Sequence, residues 1–140
     1  MPEEQQVIEP LAKWHPKVYI KGRIRLMSSE KEVFKLEDGD SVKLIIRKIQ
    51  IKPYKVLGRA YFEGLIVSGG NITIPKKLME ELGIEIGETV EVLLIGFSRL
   101  KEMLPPEHYK VLKRLKRGSY KIISEEEEKE ILNTISFSER

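Results

Sequence analysis

The sequence predicts a mainly β protein of α+β class, built from two internal repeats that share one core, with a C-terminal helical pair after them. Three observations carry this reading. Residues 70–92 spell strand, short helix, turn, strand, with proline or glycine at the junctions. The same order recurs, without a gap, 48 residues upstream. After Gly96 the two-residue alternation gives way to helical spacing and helix punctuation.

The downstream copy is the clearer one. Ile72 and Ile74 alternate with polar residues, the period of a half-buried strand. Pro75 ends that strand and supplies the fixed φ that suits a first helical turn. Lys76 to Leu82 then makes one or two turns, with Leu78 and Leu82 on one face. Gly83 stands where a helix favours a left-handed C-terminal residue. Gly87 marks a second turn, and Thr89 to Ile95 is apolar and β-branched enough for a buried strand.

In the upstream copy Gly22 falls on Gly70, Ile24 on Ile72, Leu26 on Ile74, Phe34 on Leu82 and Leu36 on Ile84. Gly39-Asp40-Ser41-Val42 falls on Gly87-Glu88-Thr89-Val90. Met27 replaces the proline, so the helix is expected to start differently, with Ser29 as cap and Glu32 answering it. Val33, Phe34 and Leu36 are expected to bury. Agreement at one ungapped offset argues for duplication, and a unit that cannot cover its own apolar face needs a second.

The run Ile74-Pro75-Lys76-Lys77-Leu78, with Leu82-Gly83-Ile84, Gly87 and Val90, resembles the core motif of the AbrB/SpoVT (MazE-like) family of swapped-hairpin DNA-binding proteins. The resemblance implies an AbrB-like swapped-hairpin β-barrel over residues 11–98, closed by two tandem repeats (about 18–50 and 66–98) of one chain. It also implies double-stranded DNA as partner and transcriptional regulation as function. In that family the DNA-facing surface uses an arginine after the hairpin glycine, with basic residues on the approach strand and short helix. Here Arg23 follows Gly22, Lys17 lies on the approach strand and Lys31 on the helix; Lys21 and Arg25 add to them. Repeat 2 departs from the pattern: Asn71 stands at the arginine position, Met79 and Glu80 replace helix basics, and Lys76 and Lys77 remain. The two halves are therefore expected to grip DNA unequally. Arg23 and Arg25 share strand parity, so both should point outward while Ile24 and Leu26 point inward.

The remaining segments follow from local signals. Residues 1–10 read as a flexible arm, and 11–16, with Trp14 and His15, as a lid over one end of the core. Ser41 to Ile51 is a long strand, Pro53 marks a turn, and 54–67 supplies one or two strands bent near Gly58 and Gly64. Ser68-Gly69-Gly70-Asn71 is a hairpin turn; it lacks the lysine and glycine spacing of a phosphate cradle. In the 99–140 extension, Pro105-Pro106 opens a helix that runs to about Arg117 and stops at Gly118. Ser124 and Glu127 form a capping box for a second helix from Glu125 to about Ile135, with an acidic first turn. Lys110, Lys113, Arg114 and Arg117 on the first of these are candidates for a second phosphate grip.

Composition narrows the classes. The net charge of +3 conceals +8 over residues 10–62, −4 over 63–98 and +5 over 99–118, an asymmetry that suits a polyanion. Cysteine is absent and histidine is limited to His15 and His108, so no disulfide, metal site or cofactor is expected. No nucleophile–base arrangement supports an enzyme. No apolar run approaches a membrane span and the N-terminus is acidic and polar, so a cytoplasmic protein without membrane contact is expected. The Lys, Glu and Ile content is that of a thermophile. Two other functions stay open. One is an antitoxin-like or scaffold module whose C-terminal helices clasp a protein partner or form a homodimer. The other is a cradle-loop barrel for a small ligand, as in archaeal riboflavin kinases.

Overall fold

The computed structural model describes residues 10–67, 69–98 and 119–138. Among them the chain forms β1 (Ala12–Trp14), a single 3-10 turn (Ile20–Gly22), β2 (Arg23–Arg25), α1 (Ser28–Phe34), β3 (Ser41–Gln50) and β4 (Lys55–Leu65). There follow β5 (Asn71–Thr73), α2 (Lys76–Leu82), β6 (Glu91–Ser98), β7 (Ser119–Ile123) and α3 (Glu125–Ser138). The strands make a five-stranded antiparallel sheet, ordered β1-β6-β3-β4-β7, and a separate ribbon of β2 with β5. The class is mainly β with added helices, and among the described residues the two sheets do not join into one closed barrel.

One core cluster gathers Ile24, Leu26, Ile72 and Ile74 from the ribbon and its exits, Leu78 from α2, and Leu44, Ile46, Phe62, Val92 and Leu94 from the large sheet. These side chains sit at alternate positions along each strand, as a one-sided pleat demands. The other face of the sheet carries a smaller cluster of Ile45, Leu93, Ile95 and Ile123, covered by Leu132 of α3.

The 48-residue offset is also a geometric relation. α1 and α2 have bounds that differ by that offset. The positive-φ residues pair the same way: Lys21 with Gly69, Gly22 with Gly70, Lys35 with Gly83 and Gly39 with Gly87. So do the backbone hydrogen bonds between halves. The Leu26 N–H donates to Gly70 O at 2.9 Å and the Ile74 N–H to Gly22 O at 2.8 Å. The Val18 N–H donates to Glu88 O at 2.9 Å and the Ile66 N–H to Asp40 O at 3.0 Å. Ile24 faces Ile72 across the ribbon, and Ile45 faces Leu93 across β3 and β6. A pseudo-twofold axis thus passes between each of these pairs, and the halves are interleaved: the approach segment of one bonds to the turn of the other.

Several local expectations are corrected. α1 starts after Met27 without a side-chain cap, and the Ser29 hydroxyl donates instead to Glu30 Oε1 at 2.9 Å. Val33 is 70% exposed. One residue round the helix from Phe34, it is turned about 100° away from the face that docks. Phe34 packs against Phe97, ring centroids 5.6 Å apart, and Leu36 is buried. Residues 54–67 supply a single strand, β4, within the one or two expected, in register with β3 except for a shift between Lys48 and Ile49, opposite Gly58. It follows a cis Lys52–Pro53 peptide. The expected lid is instead edge strand β1, paired with β6, and the Trp14 indole N–H donates to Arg25 O at 2.9 Å.

The C-terminal part is not a helical pair alone. Ser119–Ile123 is a strand against β4, its Ile123 buried and Ile122 turned to solvent by simple alternation. The capping box forms as expected: the Ser124 N–H donates to Glu127 Oε1 (2.9 Å) and the Glu127 N–H to Ser124 Oγ (3.1 Å). The helix expected over 105–117 and residues 1–9 of the arm lie outside the described residues. Among the described residues no helix is long and apolar enough to cross a membrane.

Two turn glycines separate strain from crowding. A Cβ at Gly22 (φ 77°) would sit 2.6 Å from Ile74 O and 2.9 Å from Met79 Sδ, whereas one at Gly69 (φ 81°) meets nothing within 4 Å. Gly69→Ala should therefore cost about 1–2 kcal/mol, the left-handed penalty alone. Gly22→Ala should cost more, because the carbonyl it strikes belongs to the joint between the halves. Urea denaturation of the two variants checks the order.

Candidate nucleic-acid interface

The ribbon is the centre of the site. Arg23 lies opposite Thr73 and Arg25 opposite Asn71. Ile24 and Ile72 between them are fully buried, so alternation leaves both arginines exposed on the outer face. Among the described residues the ion pairs use His15, Arg47, Lys48, Arg59 and Lys121, and none reaches Arg23 or Arg25.

The turn before the ribbon is tight. The Tyr19 N–H donates to Arg23 O at 2.8 Å and the Gly22 N–H to Tyr19 O at 3.0 Å. Lys21 takes φ 65° in this turn and is exposed, as are Tyr19 (57%) and Ile20 (67%). Tyr19, which the sequence did not single out, stands beside the basic ribbon. Its signal was available: with Val18 buried, strand parity turns its neighbour outward.

Lys31 of α1 is half-buried because its stem crosses the second turn. A Cβ at Gly70 would lie 3.1 Å from Lys31 Cδ and 3.4 Å from Nζ. Arg25 and Lys31 share a groove of about 600 Å³ with Ser28, Glu32 and Gly69. The dyad-related groove, about 610 Å³, holds Lys21 and Lys76. The structure thus brings Lys21, Arg23, Arg25 and Lys31 round the ribbon and sets Lys76 beside Lys21. Lys17, exposed and bridged to Thr89, and Lys77, exposed on α2, line neither groove. Lys110, Lys113, Arg114 and Arg117 lie outside the described residues.

This fold has a solved counterpart. The chain is similar to PHS018 from Pyrococcus horikoshii, whose solution structure superposes with a TM-score of 0.58 at 32% sequence identity. The match covers 65% of this chain and 96% of that one. The two are members of one family. No family model matches the chain, and no curated protein matches it.

A second polar cluster lies on the opposite face of the large sheet, and sequence reading missed it. Arg47 and Arg59 are direct cross-strand neighbours, as are Arg47 and Glu91. Two adjacent arginines repel, and Glu128 of α3 answers both. The Arg47 guanidinium donates through Nε and Nη2 to Glu128 (2.8 and 2.9 Å), and Arg59 Nε donates to Glu128 Oε1 (3.1 Å). Glu91 accepts from Arg47 Nη1 (2.6 Å) and the Tyr54 hydroxyl (2.7 Å), and His15 Nε2 lies 2.8 Å from its other oxygen. Glu128 and Leu132, four apart on α3, are both buried, so one ionic and one apolar contact pin the helix. Among the described residues no group of acidic or histidine side chains is placed to hold a metal ion.

Burial alone would raise the Glu91 carboxyl. Hydrogen bonds from Arg47, Tyr54 and His15, with the Arg47 charge, outweigh it and hold the pKa at about 2. An unfolded glutamate titrates near 4.3. A depressed carboxylate stabilises the fold fully above its unfolded value, and that contribution fades as pH falls through the folded one. Glu91→Gln should therefore flatten the loss of stability between about pH 4.3 and pH 2, followed by thermal melts across that range. Arg47→Ala strips two buried carboxylates of their main partner and should cost about 3–5 kcal/mol at neutral pH.

Proposed function

We propose that this protein binds duplex DNA through β2, the turn before it and α1, as an AbrB-like transcriptional regulator of the swapped-hairpin type. One observation carries the reading. Arg23 and Arg25 stand exposed, without an ion pair among the described residues, on a ribbon whose inner side is fixed by the Ile24–Ile72 pair. A guanidinium can grip a phosphate with two parallel N–H bonds, or the O6 and N7 edge of guanine. A two-stranded ribbon is also narrow enough for the major groove. Lys21 and Lys31 flank it and would add phosphate contacts, which set register without reading sequence.

The interleaved hairpins and the sequence motif around Ile74-Pro75-Lys76 support the AbrB-like, barrel-type reading. The dyad mates of Arg23, Arg25 and Lys31 are Asn71, Thr73 and Met79, so one half supplies most of the charge. Such a protein would have a preferred orientation on its site and no need of a palindrome. The protein-clasping alternative is less favoured, because α3 already spends Glu128 and Leu132 on its own sheet.

The test is fluorescence anisotropy with a labelled duplex across a salt series. Affinity should fall linearly on a log–log plot of binding constant against salt. Replacing Arg23 and Arg25 together by alanine should weaken binding and shrink that slope by about 2, one for each phosphate that an arginine no longer neutralises. Lys121→Ala, on the far sheet edge, should leave both unchanged. Salt-insensitive binding, or a double variant that binds as the parent does, would contradict the proposal.

A further inference from the structure

The groove of about 610 Å³ beside α2 differs from its dyad mate in a way the fold does not require. Its apolar wall is Met79, Ile84 and Ile86. In the other half the matching residues are Lys31, Leu36 and Asp38. There Asp38 Oδ2 accepts the Gly69 N–H at 3.1 Å and ties the two turns together. Here the equivalent pair is Ile86 with Lys21. The isoleucine side chain cannot accept that bond, and Ile86 stands 60% exposed.

Both departures are unfavourable for stability. A large apolar side chain on the surface gains little from folding. Lys21 holds φ 65°, a conformation that costs a residue with a Cβ about 1–2 kcal/mol and costs its mate Gly69 nothing of the kind. Local rules broken at two positions that line one cavity point to use rather than to packing.

The charged residues on this wall are balanced. Lys21 and Lys76 supply two cations, Glu80 and Glu85 two anions, and none of the four enters an ion pair among the described residues. A purely anionic ligand would meet the glutamates and a purely cationic one the lysines. We infer that this groove binds a free apolar amino acid: its side chain lies on Met79, Ile84 and Ile86, its carboxylate meets Lys21 and Lys76, and its ammonium meets Glu80 and Glu85.

The experiment is a titration of methyl-labelled protein with L-phenylalanine, followed by NMR. Saturable shifts should be confined to the methyls of Met79, Ile84 and Ile86. Phenylacetate lacks the ammonium and phenethylamine lacks the carboxylate; each should bind at least tenfold more weakly. Ile86→Asp and Lys21→Gly each install the residue the other half carries, so the melting temperature should hold or rise while phenylalanine affinity falls at least fivefold. The proposal is overturned if phenylalanine and leucine both fail to saturate, if the three phenyl compounds bind alike, or if both variants bind as the parent does. No DNA enters these measurements, so their failure is separate from failure of the nucleic-acid reading.

Discussion

Neither half of this chain can cover its own apolar face, and the rest of the structure follows from that constraint. Ile24 meets Ile72 and Ile45 meets Leu93 on the pseudo-twofold axis, so the halves are joined where each is most apolar. The exchange of Val18 and Ile66 between the turns locks the arrangement with matched backbone hydrogen bonds. Burying an isoleucine is worth about 1.5–3 kcal/mol, and here several are buried only because the other half is present. The ribbon that presents Arg23 and Arg25 is two strands of three residues each, too short to stand alone. It is stable because its inner side belongs to the shared core.

That frame leaves the outer positions free to diverge. Inward residues keep their character across the 48-residue offset: Ile24 and Ile72, Leu26 and Ile74, Leu36 and Ile84, Val42 and Val90. Outward residues do not. Arg23 and Arg25 answer to Asn71 and Thr73, and Asp38 to Ile86. A symmetric scaffold thus carries two chemically different faces, one cationic and one partly apolar. The C-terminal addition respects the same frame: β7 lengthens the sheet beside β4, and α3 covers the face opposite the ribbon.

What was legible in the sequence was whatever local chemistry determines. The repeat could be read because glycines at 22, 39, 70 and 87 and the alternation of Ile24, Leu26, Ile72 and Ile74 are short-range signals. The outward turn of Arg23 and Arg25 followed from parity alone. Lys21 and Lys35 were not recognisable as left-handed residues, because lysine carries no preference for that conformation; only the glycines at 69 and 83 betray it. The Ser124 box was legible and formed, while the proposed Ser29 box gave way to a contact with Glu30. The Arg47, Glu91 and Glu128 cluster left no local trace. Its members meet across 44 and 81 positions of sequence, and the need for Glu128 appears only once Arg47 and Arg59 are side by side.

The central proposal is that a near-symmetric fold meets nucleic acid mainly through the charged side chains of one half. Backbone amide shifts recorded while a short duplex is added test this most directly, because every residue has its dyad mate as an internal control. The account predicts larger perturbations over the stretch that carries Arg23, Arg25 and Lys31 than over the stretch that carries their mates Asn71, Thr73 and Met79. Equal perturbation of both stretches, or perturbation centred on the sheet face under α3, would contradict it.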